Sequence, residues 1–292
     1  VPGLMGPSKL PRETRGDYVG NANDSAWMAN LHAPITGYPR IVGDINETRS
    51  PRTRMYLSEL DGKKFTRQSL QDMMFSDRSF IANIAADETV AMCRTMSGMA
   101  DACDALAAWD RKYTTSSKGA LLFDRFWGRT PNDEWTVPFD AADPVNTPRG
   151  LAVDSPGVRK AFTDAVAELR AAGIPLDAPL GSVQYVTRNG EKISIPGGRG
   201  GLGVLNVTTP AGWNNGYTEV VHGSSYIQSV AFTDSPCPDA RTILTYSQSS
   251  DPTSPHFADQ TRLYSQGKWN KGRFCERDIL SSPALKVVFL HR

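Results

Sequence analysis

Long apolar runs are missing from this sequence. No stretch approaches the ~20 residues that a membrane helix needs, so no membrane partner is expected. Blocks of one charge are missing too. The 32 Lys and Arg residues are scattered and offset by 31 Asp and Glu residues, leaving a net charge of +1. Without a basic face to neutralise phosphates, no nucleic acid partner is expected. Cysteine is scarce: Cys93, Cys103, Cys237 and Cys275 form no paired CxxC pattern of the zinc type. No His, Cys, Asp or Glu cluster has metal-ligand spacing, so no metal and no cofactor is expected. The run Gly198-Arg199-Gly200-Gly201-Leu202-Gly203 formally contains GxGxxG. It lacks the strand before and the helix after that a dinucleotide site needs, because Pro196 and Gly197 precede it and a strand-like Val204-Leu205-Asn206-Val207 follows. The chain starts Val1-Pro2-Gly3, with no initiator Met and no signal-peptide pattern.

What is present is an ordinary globular composition, 39% apolar over 292 residues. That length exceeds the usual single domain, with one large sheet-rich domain as the alternative. Residues 1–60 read as loop and short strands, punctuated by Pro2, Pro7, Pro11, Pro34, Pro39 and Pro51. A helical part follows at about 66–172. It starts at a Thr66 cap, runs through helical spacings at 87–96 and 99–109, and continues over 118–127. Residues 129–154, with four prolines, read as an irregular connector. The clearest element is capped by Ser155, has Pro156 at its first position and is closed by Gly173. A strand-rich part at about 180–292 carries period-two alternation from Val183. It includes a hairpin signal at Asn189-Gly190, a turn at Asn214-Asn215-Gly216, and strands near 192–195, 217–221, 226–232, 242–246 and 285–290. Helices first and antiparallel strands later predict an α+β layered architecture.

Two stretches carry chemistry only through their order. The first is Asn21-Ala22-Asn23-Asp24-Ser25-Ala26-Trp27, with Pro34 and Gly37 after it, followed by Ser50-Pro51-Arg52-Thr53-Arg54. The second is the polar turn system from Ser247 through Asp251-Pro252 and Ser254-Pro255-His256-Phe257 to Asp259-Gln260, leading into Tyr264 to Trp269. Between them lie Ala107-Ala108-Trp109-Asp110, Leu180-Gly181-Ser182-Val183 and Gly223-Ser224-Ser225-Tyr226. This ordered set resembles the penicillin acylase family of N-terminal-nucleophile hydrolases, in the branch of the aculeacin and acyl-homoserine-lactone acylases.

The resemblance implies a piece of a four-layer αββα sandwich and an amide hydrolase that removes an acyl chain, expected to be aliphatic, from a lipopeptide, a penicillin or an acyl-homoserine lactone. It implies that the nucleophile is a Ser exposed when a precursor cleaves itself. Val1 has no nucleophilic heteroatom. The Ser is therefore expected upstream, this chain being one piece of a larger acylase domain whose partner is the remaining acylase chain and whose small-molecule substrate is an acyl amide. The family is exported, which implies a secreted or periplasmic protein, with disulfides Cys93–Cys103 and Cys237–Cys275 rather than four thiols.

By resemblance Asn23 is the oxyanion-hole residue. A neutral amide NH₂ donates to the charge that develops on an attacked carbonyl without bringing a competing acid. On spacing alone Asn-Asp-Ser is ordinary turn chemistry, and Asn21 is the alternative within the block. Arg52 is the preferred active-site arginine, with Arg54 as alternative. His32 reads as structural and His256 as a loop brace. No base is required of either, because the nucleophile's own α-amine fills that role in this class. Some members of the family carry calcium, but Asp24 is a lone carboxylate and calcium takes several oxygens. The rival reading is a secreted, non-catalytic binding or scaffold protein that shares the fold.

Overall fold

The computed structural model describes residues 3–214 and 217–290. Val1, and Asn215 and Gly216 of the expected turn, lie outside the described residues. Two compact units are present: residues 1–64, 76–185 and 194–223 form the first, and 65–75, 186–193 and 224–292 form the second. Mixed helices and sheets make the fold α+β.

The first unit begins with a long arm. Among the described residues up to position 50 it holds three 3-10 turns, Pro7–Lys9, Ala26–Met28 and Arg40–Val42, and none of the short strands expected there. Local side-chain turns and positive φ at Asn23 (67°) and Asn46 (57°) break the extended runs that pairing requires. Helix α1 (Pro51–Leu60) follows, with the Ser50 hydroxyl accepting from the Thr53 amide and Pro51 in the first turn.

Helices α3 (Phe80–Arg94), α4 (Ala100–Ala107), α5 (Ala120–Trp127) and α6 (Pro156–Ala171) build the main core, while α2 (Arg67–Met74) belongs to the second unit. In α6 the residues at helical spacing, Val158, Ala161, Phe162, Ala165, Val166 and Leu169, are all buried, and Ser155 caps as expected. Helix α3 starts earlier than the spacing suggests, because the Ser79 hydroxyl accepts from the Ala82 amide. The Cys93–Cys103 disulfide joins α3 to α4 with Cα atoms 5.6 Å apart, as expected. Glu168 of α6 is gripped by Arg125 (2.7 Å) and Arg129 (2.7 Å).

The connector is less irregular than expected. Strands β1 (Trp135–Val137) and β2 (Arg149–Leu151) pair antiparallel within it, with Trp135 opposite Leu151. Beyond α6 come β3 (Gln184–Arg188), β4 (Glu191–Ser194), β5 (Thr208–Asn214) and β6 (Tyr217–Gly223). Strand β6 pairs antiparallel with β5 but parallel with the start of β3, Gln184 opposite Thr218 and Tyr185 opposite Glu219. Antiparallel strands throughout were expected. The long stretch between β3 and β6 supplies the crossover that a parallel pair needs, and local alternation is blind to it.

In the second unit, β7 (Tyr226–Ala231), β8 (Asp239–Leu244) and β9 (Asn270–Gly272) form an antiparallel sheet. Helix α7 (Asp259–Ser265) follows the Ser-Pro-His turn and α8 (Glu276–Leu280) follows β9. Neither helix was expected from periodicity, since each spans two turns or fewer. The Cys237–Cys275 disulfide ties the segment after β7 to the residue before α8, with Cα atoms 5.8 Å apart. Residues 285–290 form no strand. Val287, Val288, Phe289 and Leu290 are instead 67–93% exposed.

Asp77, between α2 and α3, is buried, and its carboxylate accepts from the Asn206 amide at 2.9 Å. Burial pushes its pKa up to about 8, against the smaller opposing effects of Asn206 and Lys112. A carboxyl with a raised folded-state pKa holds its proton more tightly when folded. Its contribution is therefore full below the ordinary carboxylate pKa and is lost as pH rises towards 8. The melting temperature of the purified protein should fall between pH 5 and 8. Asp77→Asn, which tolerates the φ of 50° at this position, should flatten that slope. An unchanged slope in the variant would show that Asp77 is ionised in the folded protein.

Candidate active site

The site starts from the turn that precedes the Ala26–Met28 helix. Asn21 folds over it: its Oδ1 accepts from the Asn23 amide N–H (2.8 Å) and its Nδ2 donates to the Asp24 carbonyl (2.9 Å). That leaves Asn23 in the left-handed region, which Asn tolerates better than most residues. Asn21 is thus spent on the turn, and Asn23 is raised on it.

Three ties lock this turn to α1 and the residues that lead into it. The Asp24 carboxylate accepts from the Ser50 amide (2.9 Å) and from the Thr53 hydroxyl (2.5 Å), so one side chain binds the helix start at two points. The buried Tyr56 hydroxyl donates to the carbonyl of Met28 (2.6 Å), beyond the turn. Arg49 stacks on Trp27 at 5.0 Å and donates to the Ser25 hydroxyl (2.8 Å). Ala22, Trp27, Met28, Tyr56, Leu57 and Val145 make a small core beneath. A capped helix start and a rigid turn are therefore held as one piece.

On that piece the Arg52 guanidinium donates from Nη2 to Asn23 Oδ1 at 2.9 Å. A guanidinium has donors only, so it fixes the amide with its oxygen towards Arg52. The NH₂ of Asn23 then faces away, and no protein group among the described residues accepts from it. Arg54, two residues on, is different. It is 2% exposed, donates to the carbonyls of Val145 (2.7 Å) and Pro148 (2.9 Å), and lies over the Phe80 ring at 4.5 Å. Burial lowers its pKa to about 10, so it remains charged at neutral pH. The structure brings Asn23 and Arg52 together and sends Arg54 into the core.

A family model described as penicillin amidase matches residues 1–281. The chain belongs to the penicillin amidase family. Aculeacin-A acylase of Actinoplanes utahensis is 37% identical over 98% of this chain and 39% of its own length. The acyl-homoserine lactone acylase PvdQ of Pseudomonas syringae pv. syringae strain B728a is 34% identical over 98% of this chain and 38% of its own. The chain thus spans about two-fifths of the length of these curated relatives. A solved structure, thermostable penicillin G acylase from Alcaligenes faecalis, aligns with a TM-score of 0.47 at 15% identity, covering 93% of this chain and 56% of that one.

Other residues singled out from the sequence fall elsewhere in this penicillin amidase family chain. His32 sits on the surface and pairs with Asp61 at 2.6 Å. His256 in the second unit bonds Asp259 at 2.8 Å, where it braces the turn before α7. The glycine-rich run forms a tight 3-10 turn at Gly200–Leu202. Sequence reasoning gave Asp24 no role beyond a dismissed calcium ligand. Its doubled acceptor role depends on Ser50 and Thr53, some 26 and 29 positions away, which no local pattern reports. Among the described residues, no group of three or more His, Cys, Asp or Glu side chains is placed to hold a metal, and no helix is long and apolar enough to cross a membrane.

Proposed function

We propose that this chain is one piece of a larger acylase domain, an N-terminal-nucleophile amide hydrolase. In this reading it supplies the oxyanion donor, Asn23, and the arginine that orients it, Arg52. The observation that carries the reading is the Arg52–Asn23 bond, because it leaves an amide NH₂ fixed in direction and unspent. The nucleophile is an N-terminal Ser on the remaining acylase sequence, upstream of the matched blocks. Its hydroxyl adds to the substrate carbonyl while its α-amine takes the proton. The carbonyl oxygen becomes an oxyanion and receives the Asn23 N–H. Collapse of that intermediate breaks the C–N bond as the leaving nitrogen takes that proton back from the α-ammonium and departs as the amine. Water, giving its proton to the α-amine, then releases the acyl group as the acid from the serine ester.

The names of the relatives, aculeacin-A acylase and acyl-homoserine lactone acylase, support an acyl amide as substrate; within that class the proposal is an aliphatic acyl chain on a homoserine lactone, lipopeptide or penicillin nucleus. The two disulfides support an oxidising compartment, secreted or periplasmic. The exposed apolar residues Val287 to Leu290 support burial against the remaining acylase chain, within a four-layer αββα sandwich.

The test is reconstitution. This chain by itself should not hydrolyse acyl-homoserine lactones, acyl peptides or penicillin V. The complete acylase, shown by mass spectrometry to contain a chain that begins with Ser, should hydrolyse at least one of them. Turnover by a chain verified to begin at Val1, or a complete protein inactive on all three classes, would overturn the proposal.

A further inference from the structure

Gly200 is a glycine without a backbone reason. Its φ lies outside the positive range, so an L-residue fits its backbone, unlike Gly197 (φ 98°) and Gly203 (φ 75°) on either side. A Cβ at position 200 would come within 3.0 Å of Arg52 Nε, 3.6 Å of its Cδ and 3.7 Å of its Cζ. Gly201, next in sequence, also lacks a positive φ, and a Cβ there would meet nothing within 4 Å. The two neighbours differ only in what they face.

The turn that carries Gly200 is anchored independently of Arg52. Gly197 N–H donates to the Tyr113 carbonyl (2.8 Å), and Thr208 N–H to the Gly198 carbonyl (2.9 Å). Arg199 Nε reaches the half-buried Asp124 carboxylate (3.1 Å), and the Ser79 hydroxyl donates to the Leu202 carbonyl (2.8 Å). A Cβ on Gly203 would collide with the Phe80 side chain and approach Pro51 at the start of α1 (3.0 Å), so turn and helix are pressed together at that point. The wall behind Arg52 is therefore rigid. The guanidinium has the Asn23 amide on one side and bare glycine backbone on the other.

We propose that Gly200 is a positioning residue: it forms the wall that fixes where the Arg52 guanidinium lies, and through it the direction of the Asn23 NH₂. The inference rests on the proposed oxyanion role of Asn23. A methyl at 200 makes Arg52 give by a few tenths of an ångström and a larger side chain displaces it further, so the amide's holder shifts and the donor is misaimed at an oxyanion that tolerates little displacement. Substrate binding involves none of these groups directly, so the loss belongs in kcat.

The experiment uses the complete, processed acylase, with active sites titrated so that kcat is per mature enzyme. Gly200→Ala and Gly200→Val should lower kcat progressively, by roughly 10-fold and 10²-fold, with KM nearly constant. Gly201→Ala should match the unsubstituted enzyme. In an Arg52→Ala background, Gly200→Ala should have no further effect, since the group it acts through is gone. Equal losses from Gly200→Ala and Gly201→Ala, or the same fold-loss from Gly200→Ala with and without Arg52, would overturn the proposal, as would normal kcat in Gly200→Val. If instead Asn23→Ala and Arg52→Ala both keep normal turnover, the oxyanion reading itself has failed, and that outcome is distinct from a failure at Gly200.

Discussion

Asn23→Ala in the complete acylase should lower kcat by roughly 10²–10³ with little change in melting temperature. The side chain is exposed and its packing contribution is small, and in the proposed mechanism its NH₂ acts on charge that exists only in the transition state. KM should change little, because an interaction absent from the ground state does not contribute to substrate affinity. Asn21→Ala should do the reverse. Its Oδ1 and Nδ2 hold the Asn23 amide and the Asp24 carbonyl, at 2.8 and 2.9 Å. Losing two turn hydrogen bonds costs about 1–2 kcal/mol of stability. Some turnover will be lost too, as the turn that raises Asn23 loosens, but less than in Asn23→Ala. The comparison is steady-state kinetics and thermal unfolding of the two variants under one set of conditions. A larger catalytic loss in Asn21→Ala would mean that the donor was assigned to the wrong asparagine.

What the sequence discloses here depends on the range of the interaction. Helix α6 is legible because its cap, its first proline and its apolar spacing all lie within some 18 residues. The Cys93–Cys103 pairing is legible for a similar reason, since the two cysteines flank one turn, whereas the choice of disulfides over thiols came from the resemblance. The parallel start of β3 against β6 is not legible, since alternation gives the face of a strand and never its neighbour's direction. Helix α7 hides in a turn sequence because Ser, Pro and Asp dominate the approach to it. The pairing of Arg52 with Asn23 was expected only as two members of a family set. That the two touch, and that Gly200 backs them, spans separations of 29 and 148 residues, out of reach of any periodicity. The glycine-rich run shows this in reverse. Read locally it imitates a nucleotide loop, while its glycines serve close approach to α1 and α3.

The second large effect separates the two arginines. Arg54→Met should destabilise the fold by about 3–5 kcal/mol, while Arg52→Met should cost little stability and much turnover. Arg54 is 2% exposed, and the carbonyls of Val145 and Pro148 depend on its guanidinium for hydrogen bonds. Methionine keeps most of the stem volume against Phe80 but leaves both carbonyls without that donor in a site closed to water. The relief of no longer burying a charge offsets part of this cost, and the lost cation–π contact with Phe80 adds to it. Arg52 is partly exposed and holds one side-chain amide, so its removal frees Asn23 to rotate and leaves no buried group unsatisfied. Denaturant unfolding and kcat measured on both variants decide the matter. Arg54→Met should shift the unfolding midpoint strongly and retain kcat per folded, processed enzyme within a few-fold, and Arg52→Met should do the opposite. Were Arg52→Met the destabilised variant with turnover intact, Arg52 would be a scaffold residue and the holder of the Asn23 amide would have to be sought elsewhere.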